Sequence, residues 1–154
     1  MKVMTAATYM LSVAILASNA AANAATCSGH NINNVLLFEN NELASGTTLT
    51  ALRLSSVHVS DDASSPLHLA AGECAGALTA TPDGKMRGQG YCMRKDKDGD
   101  VYNEEWHLAP GAEKGTWKLA GGSGKYASMS GSGWWQVIMS EGSMAAVRWV
   151  GACQ

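Results

Sequence analysis

Cys74 and Cys92 lie nine residues on either side of Asp83, the central residue of the turn sequence Pro82-Asp83-Gly84. A three-residue hairpin loop at this turn pairs each residue of one strand with the residue equally far along the other. The two cysteines then face each other across neighbouring antiparallel strands, at the separation that a disulfide requires. The sequence therefore predicts a β-hairpin closed by a Cys74–Cys92 disulfide.

The chain after residue 24 alternates short β-type segments with turn signals and shows no convincing helical periodicity. The predicted strands are Val35–Glu39, Thr48–Ser60, Ala75–Ala80, Met86–Met93, Val101–Leu108, Gly115–Leu119, Gly133–Met139 and Ser143–Val150. The turns between them carry Gly, Pro or Asp, as in Pro110-Gly111 and Glu141-Gly142. Seven or eight short strands at this spacing are typical of a single antiparallel β-barrel or of a β-sandwich.

Asp98-Gly99 predicts a second hairpin, because this dipeptide is preferred in two-residue hairpin turns. A two-residue turn there pairs Tyr91 with Trp106. One face of the ribbon then carries Tyr91, Met93, Tyr102, Glu104, Trp106 and Leu108. The other face carries Gly88, Gly90, Cys92, Asn103, Glu105 and His107. We expect the aromatic face to form the interior, extended from later strands by Trp117, Leu119, Trp135, Val137, Val147 and Trp149.

The first 24 residues have the pattern of a signal peptide. Lys2 gives a short positive region, Met10–Ala17 is apolar, and Ala22-Asn23-Ala24 matches the small-x-small rule for cleavage after Ala24. This apolar run is too short to span a bilayer, and no later run is long enough to do so; a retained N-terminal anchor helix is the alternative. We therefore expect residues 1–24 to be removed and residues 25–154 to form one β-domain of an exported protein, periplasmic or secreted.

All four cysteines lie beyond residue 24, and an even number in an exported domain indicates two disulfides. With Cys74 and Cys92 paired, Cys27 and Cys153 are left near the two ends of the domain. A bridge between them fits a closed antiparallel barrel, in which the first and last strands are neighbours. A β-sandwich also accommodates it.

Glu104-Glu105-Trp106-His107 is the richest polar cluster of the chain. On the predicted inner face, Glu104 sits among aromatic side chains, where burial favours the protonated carboxyl group that suits a general acid or base. Glu105 and His107 share the outer face, close enough for the carboxylate to orient the imidazole. His68 lies in a loop that could fold over a barrel mouth. Glu104 and His68 are therefore the candidate catalytic residues, and structural or solvent-exposed roles are the alternatives.

Other chemistries lack their sequence patterns. Cysteine and histidine spacing does not match a zinc site, the glycine-rich segment 121–125 lacks the full spacing of a phosphate-binding loop, and no nucleophilic serine motif is present. The acidic run Asp96–Asp100 departs from an EF-hand loop and predicts a solvated hairpin tip, with an irregular calcium site as the alternative. A net charge of −2 argues against nucleic-acid binding. We expect no metal, no cofactor and no nucleic acid.

A set of motifs between Gly72 and Cys153 carries a family resemblance. These motifs are GEC-x-G, DG-x5-GYC, DKDGD, W-x-LAPG-x3-GTW, GGSGKYASMSGSGWW and W-x-GAC. The set resembles an uncharacterised family of small exported bacterial proteins, and its GGSGKY segment is similar to a signature of allene oxide cyclase-like, or calycin-like, β-barrels. The resemblance implies an eight-stranded antiparallel barrel. It assigns no catalytic residue, and Ala127-Ser128-Met129 departs from the signature's Ala-Gly-Ile.

These observations favour an exported, disulfide-bonded β-barrel that binds a small apolar or aromatic molecule. The predicted lining of its cavity is Tyr91, Trp106, Trp117 and Trp135. A cyclase or isomerase that uses the same cavity, with Glu104 as its acid or base, is one alternative. A non-enzymatic envelope protein with a solid core and an interacting outer surface is another. The sequence does not indicate the oligomeric state.

Overall fold

The computed structural model of this protein describes residues 25–154, and the predicted signal peptide lies outside the described residues. The strands are β1 (Ala25–Glu42), β2 (Thr48–Ser60), β3 (Ala70–Ala80), β4 (Met86–Lys95), β5 (Val101–Leu108), β6 (Gly115–Gly122), β7 (Gly131–Glu141) and β8 (Met144–Cys153), with a 3-10 turn at Gly124–Tyr126. Each strand pairs with the next, and β1 also pairs with β8, so the sheet closes. The predicted all-β, antiparallel, disulfide-bonded barrel of about eight strands is confirmed.

The hairpin between β3 and β4 has the predicted register. Cys74 faces Cys92, and the two form a disulfide. The Thr81 N–H donates to the Lys85 carbonyl oxygen at 3.0 Å and closes a three-residue loop. Gly84 in this loop has a φ of 79°, a conformation that glycine adopts without steric cost.

The second disulfide, Cys27–Cys153, lies where the barrel closes. It joins β1 to β8 with its Cα atoms 5.8 Å apart. The β1–β8 ladder continues from this point to the pair of Asn34 with Met144. Because a β-sandwich leaves its sheet edges unpaired, this ladder decides between the two predicted architectures in favour of the barrel.

The hairpin between β4 and β5 differs from the prediction by one residue. The Asp96 N–H donates to the Asp100 carbonyl oxygen at 3.0 Å, so the loop has three residues, Lys97-Asp98-Gly99, rather than two. The Asp96 carboxylate also accepts the N–H of Asp98 at 2.8 Å and that of Asp100 at 3.1 Å, which stabilises the longer turn. A slip of one residue moves every side chain of one strand to the opposite face.

The longer turn reverses the faces predicted for β4. Trp106 faces Gly90 rather than Tyr91. Tyr91 and Met93 point outwards, with 64% and 60% of their surface exposed, and the prediction that they line the interior is wrong. The inward positions of β4 are Gly88, Gly90, Cys92 and Arg94. On β5 the predicted inner face is confirmed, because Tyr102, Glu104 and Leu108 are buried.

Strand β1 is much longer than the predicted segment Val35–Glu39, since it begins at Ala25 and ends at Glu42. The prediction missed its first half because asparagine is depleted in strands. The asparagines nevertheless alternate with an apolar residue, as Asn31 and Asn33 are buried in the barrel and Ile32 is 42% exposed. A β-bulge follows Val35 and shifts the register by one residue.

Four tryptophans point into the barrel, and each lies against glycine on a neighbouring strand. Trp106 covers Gly76 and Gly90, Trp117 covers Gly133 and Gly151, Trp135 covers Gly115, and Trp149 covers Gly29. A Cβ atom at any of these glycines would overlap the indole ring. The glycine-rich strands thus provide the space in which the large rings fit inside a narrow barrel.

The two ends of the barrel differ. The closed end carries loop 61–69, whose Leu67 is fully buried in a cluster with Tyr102, Trp117 and Trp149. The Tyr126 hydroxyl donates to the Pro66 carbonyl oxygen at 2.5 Å and so fastens this loop. The open end carries the hairpins β1–β2, β3–β4, β5–β6 and β7–β8, and it leaves inward-facing side chains such as Phe38 and Val137 exposed.

Removal of the Cys27–Cys153 disulfide should destabilise the barrel more than removal of the Cys74–Cys92 disulfide. The two bonds join cysteines 126 and 18 residues apart, and the loop-closure entropy that a disulfide removes grows with this separation. We expect the two double Cys→Ala variants to lose about 5 kcal/mol and about 3 kcal/mol of unfolding free energy, respectively. Urea unfolding measures both losses, and a larger loss for the Cys74/Cys92 pair would contradict the expectation.

Candidate functional site

Below a polar rim, where Thr50 Oγ1 donates to Asn40 Oδ1 at 2.7 Å, the inward-facing side chains towards the open end form the apolar half of the lumen. Its members are Val35, Phe38, Leu52, Leu54, Leu78, Trp106, Leu108, Trp135 and Val137. Cross-strand pairs such as Val35 with Leu54 place them on one continuous surface. Phe38 and Val137 are 54% and 49% exposed although they face inwards, and Leu54, further down the lumen, is still partly exposed. Solvent therefore reaches this half of the lumen.

Deeper in the barrel, the inward positions of four strands become polar. This polar floor comprises Asn31 and Asn33 of β1, Ser56 and His58 of β2, Arg94 of β4, and Tyr102 and Glu104 of β5. Each of these side chains is more than nine-tenths buried. On β2, for example, the inward positions below the rim residue Thr50 are, in order, Leu52, Leu54, Ser56 and His58. The lumen is thus amphipathic along its axis.

An ion pair between Arg94 and Glu104 lies at the centre of the polar floor. Arg94 Nη1 is 3.3 Å from Glu104 Oε1. Arg94 Nη2 donates to Ser56 Oγ at 3.3 Å. Gly72 lies on β3 between these two residues, and its lack of a side chain leaves room for the hydrogen bond. The guanidinium also lies 6.0 Å from the centre of the Tyr102 ring. Because the opposite charges compensate each other, the buried pair is electrically neutral.

His58 and Tyr102 form the second polar contact of the floor, with the Tyr102 hydroxyl 2.8 Å from His58 Nδ1. Burial lowers the pKa of His58 well below 6.5, and the positive charge of Arg94 and the nearby His68 lower it further. Burial also raises the pKa of Tyr102, so its hydroxyl stays protonated. The hydroxyl therefore donates to Nδ1 of a neutral imidazole, and the imidazole proton is on Nε2.

Several buried polar atoms in and beside the floor have no hydrogen-bond partner within residues 25–154. They are Asn31 Oδ1, Asn33 Oδ1, His58 Nε2, Ser60 Oγ, Arg94 Nε and Trp149 Nε1. Buried polar groups in proteins are normally paired, and each unpaired one costs about 1–3 kcal/mol. This part of the lumen therefore retains hydrogen-bonding capacity towards any polar group that reaches it.

The structure brings together two of the four predicted ligand-binding residues. Trp106 and Trp135 both line the apolar half, with ring centres 6.1 Å apart in an edge-to-face arrangement. Trp117, the cross-strand partner of Trp106, packs in the buried cluster at the closed end, where only 4% of its surface is exposed. Trp135 also contacts this cluster. Tyr91 lies on the outer wall, where it borders a shallow depression of about 340 Å³ with His107.

The two catalytic candidates occupy different places. Glu104 is buried inside the barrel, as predicted, but its partner is the guanidinium of Arg94. His68 lies in the loop at the closed end rather than over the open mouth, with Nδ1 3.2 Å from the Ser60 carbonyl oxygen. Glu105 faces outwards, as predicted, but pairs with Lys118 at 3.3 Å rather than orienting His107.

The acidic hairpin tip contains one buried carboxylate, which the prediction of a solvated tip did not include. Asp96 is 8% exposed and lies 2.6 Å from Lys125 Nζ. The hydrogen bond from Lys125 lowers the pKa of Asp96 to about 2. The Tyr126 hydroxyl shares its single proton between the Pro66 carbonyl oxygen and this carboxylate, which lies 3.0 Å away. The glycine-rich GGSGKY segment thus fixes the β4–β5 turn to the closed end.

The sequence prediction missed Arg94, His58 and the two inward asparagines of the polar floor. Arg94 begins the charged segment RKDKDGD, which resembles a solvated tip. The sequence does contain one signal for this floor, the alternation of polar and apolar residues. Asn31-Ile32-Asn33 and Ser56-Val57-His58 both have the period of a half-buried strand. That period does not say whether the polar or the apolar residues face inwards.

Comparison with known proteins supports the fold. No protein-family model matches the chain, and no curated protein matches its sequence. Among solved structures, the chain is similar to GePTS1, a pterocarpan synthase dirigent protein. The match covers 84% of this chain and 85% of that one, with 12% sequence identity and a TM-score of 0.50. At this identity, the likeness shows a shared barrel fold and nothing further.

Acid should destabilise the barrel through His58. Because the pKa of His58 in the folded protein is well below 6.5, the unfolded chain binds this proton first as the pH falls. The free energy of unfolding should therefore decrease below about pH 6.5, by at most about 1.4 kcal/mol per pH unit from this group. Urea unfolding at a series of pH values measures the slope. We expect His58→Gln to reduce it and His107→Gln, on the outer wall, to preserve it; equal slopes in both variants would exclude His58 as the cause.

Loss of the Glu104 charge should leave Arg94 uncompensated in the interior. We expect Glu104→Gln to lower the free energy of unfolding by about 3–5 kcal/mol. Replacement of both partners, as Arg94→Met with Glu104→Leu, should recover most of this loss, because an apolar pair avoids the desolvation of two charges. Chemical denaturation compares the variants. A double variant as unstable as Glu104→Gln would show that the ion pair is not the cause of the loss.

Proposed function

We propose that the protein binds a small apolar or aromatic molecule in the apolar half of its lumen. The observation that carries this proposal is the partial exposure of apolar side chains that face the barrel axis. In a solid core, residues such as Leu52 and Leu54 would be covered by the opposite wall. Here they are only partly covered, so a molecule that displaces solvent from them gains the free energy of apolar burial.

Two tryptophans give this binding surface an aromatic component. Trp106 and Trp135 contact each other edge to face, and both are partly exposed. Aromatic side chains in such a cavity offer a large contact area and favour stacked or edge-to-face contacts with a ring of the ligand. The polar floor lies deeper, and Thr50 at the rim of the open end donates to Asn40 Oδ1 at 2.7 Å. The surface between rim and floor therefore selects for apolar ligand surface.

The shared fold is consistent with a role in binding small molecules. The similar solved structure belongs to a protein named as a pterocarpan synthase, which indicates that a barrel of this type serves small-molecule chemistry in that protein. We propose in addition that this barrel is of the allene oxide cyclase-like type that the motifs between Gly72 and Cys153 resemble.

We also propose that the protein is exported, to the periplasm or beyond it. Two disulfides join all four cysteines, and such bonds are characteristic of oxidising compartments. No helix within residues 25–154 is long and apolar enough to cross a membrane. Residues 1–24 would serve as the signal peptide, and residues 25–154 would be the mature barrel domain.

A polar substitution in the open half should weaken binding of an apolar probe. Leu52 faces the lumen, whereas its neighbour Ala51 faces outwards. We expect Leu52→Gln to reduce affinity for naphthalene about tenfold, because it places an amide against the ligand's apolar surface. Ala51→Gln is the matched control and should bind as the wild type does. Tryptophan fluorescence titration measures both, and failure of the wild type to bind any apolar probe would refute the proposed function.

A further inference from the structure

We infer that the polar floor binds the uncharged, hydroxyl-bearing end of the ligand whose apolar body lies in the open half. This inference rests on the proposed function and adds a chemical class to it. The ligand would be amphipathic, with its polar end directed inwards, towards the closed end of the barrel. The boundary between the apolar half and the polar floor would set the orientation of the ligand.

The change occurs at one boundary on neighbouring strands. Val35 and Leu54 face each other in the apolar half, and the next inward pair towards the closed end is Asn33 with Ser56. The row of Asn33 and Ser56 continues to Arg94, which donates to Ser56 at 3.3 Å. A molecule long enough to fill the apolar half therefore reaches amide, hydroxyl and guanidinium groups with its inner end.

The unpaired atoms of the floor define what that end must offer. Unpaired donors are Arg94 Nε, Trp149 Nε1 and the protonated Nε2 of His58. Unpaired acceptors are Asn31 Oδ1 and Asn33 Oδ1. A hydroxyl group both accepts and donates hydrogen bonds, so it can satisfy one atom of each kind. A hydrocarbon end would leave all of them unpaired.

The charge of the floor argues for a neutral end group rather than an anion. The positive charge of Arg94 is already compensated by Glu104 at 3.3 Å. His58 is neutral, because burial lowers its pKa well below 6.5. A carboxylate would therefore add an uncompensated negative charge to a buried, neutral cluster, which is unfavourable.

A series of probes with one apolar body separates this inference from the proposed function. Naphthalene, 2-naphthalenemethanol and 2-naphthoate present no polar end, a hydroxyl and a carboxylate, respectively. We expect the alcohol to bind about tenfold more tightly than naphthalene and more tightly than the carboxylate, as measured by calorimetry or fluorescence titration. Equal or tighter binding of naphthalene would overturn the hydroxyl inference while leaving the proposed function intact. Tightest binding of 2-naphthoate would overturn the neutral class, and no binding by any probe would refute the proposed function itself.

Two adjacent asparagines supply matched variants for the same titrations. Asn33 faces the lumen and is 7% exposed, whereas Asn34 faces outwards and is exposed. We expect Asn33→Leu to reduce the advantage of the alcohol over naphthalene to below about threefold and Asn34→Leu to leave it unchanged. Because Asn33→Leu removes an unpaired polar atom, the variant should fold at least as stably as the wild type. An undiminished advantage in folded Asn33→Leu would exclude this residue from the hydroxyl site and contradict the proposed position of the end group.

Discussion

Closure of the sheet between β1 and β8 determines which side of every strand faces the lumen. Side chains alternate along a strand, and facing residues on neighbouring strands share a side, so one register error around the ring would expose the core. The Cys74–Cys92 and Cys27–Cys153 disulfides fix two of these registers covalently. The indole rings add a steric constraint, because each inward tryptophan fits only where the neighbouring strand has glycine.

This closed barrel is packed at one end only. Leu67, Tyr126 and Trp149 fill the closed end, and the loop that carries Leu67 covers it. The remaining lumen contains apolar side chains that are incompletely covered and polar side chains that are incompletely paired. Both features lower stability relative to a filled core, since unburied apolar surface and unpaired polar atoms each have a free-energy cost. Proteins tolerate such costs mainly where function requires them.

Much of the fold was predictable from turn chemistry, and the failures have local causes. The register predicted from Pro82-Asp83-Gly84 is correct, and the spacing of Cys74 and Cys92 had tested it independently. Asp98-Gly99 had no such test. The Asp96 carboxylate accepts hydrogen bonds from two loop N–H groups and pairs with Lys125, which favours a three-residue loop over the expected two-residue turn. The polar floor was less predictable still, because alternation alone does not show that Asn31 and Asn33, rather than Ile32, face inwards.

An open apolar half can be tested directly by solvent paramagnetic relaxation of methyl groups in the unliganded protein. A small soluble paramagnetic probe should strongly relax the methyl groups of Leu52 and Leu54, which face the lumen and are partly exposed. The methyl groups of Leu67 and Leu119, which are buried at the closed end, should be protected. Equal protection of all four leucines would contradict the open lumen, because it would show that the barrel interior is filled along its whole length.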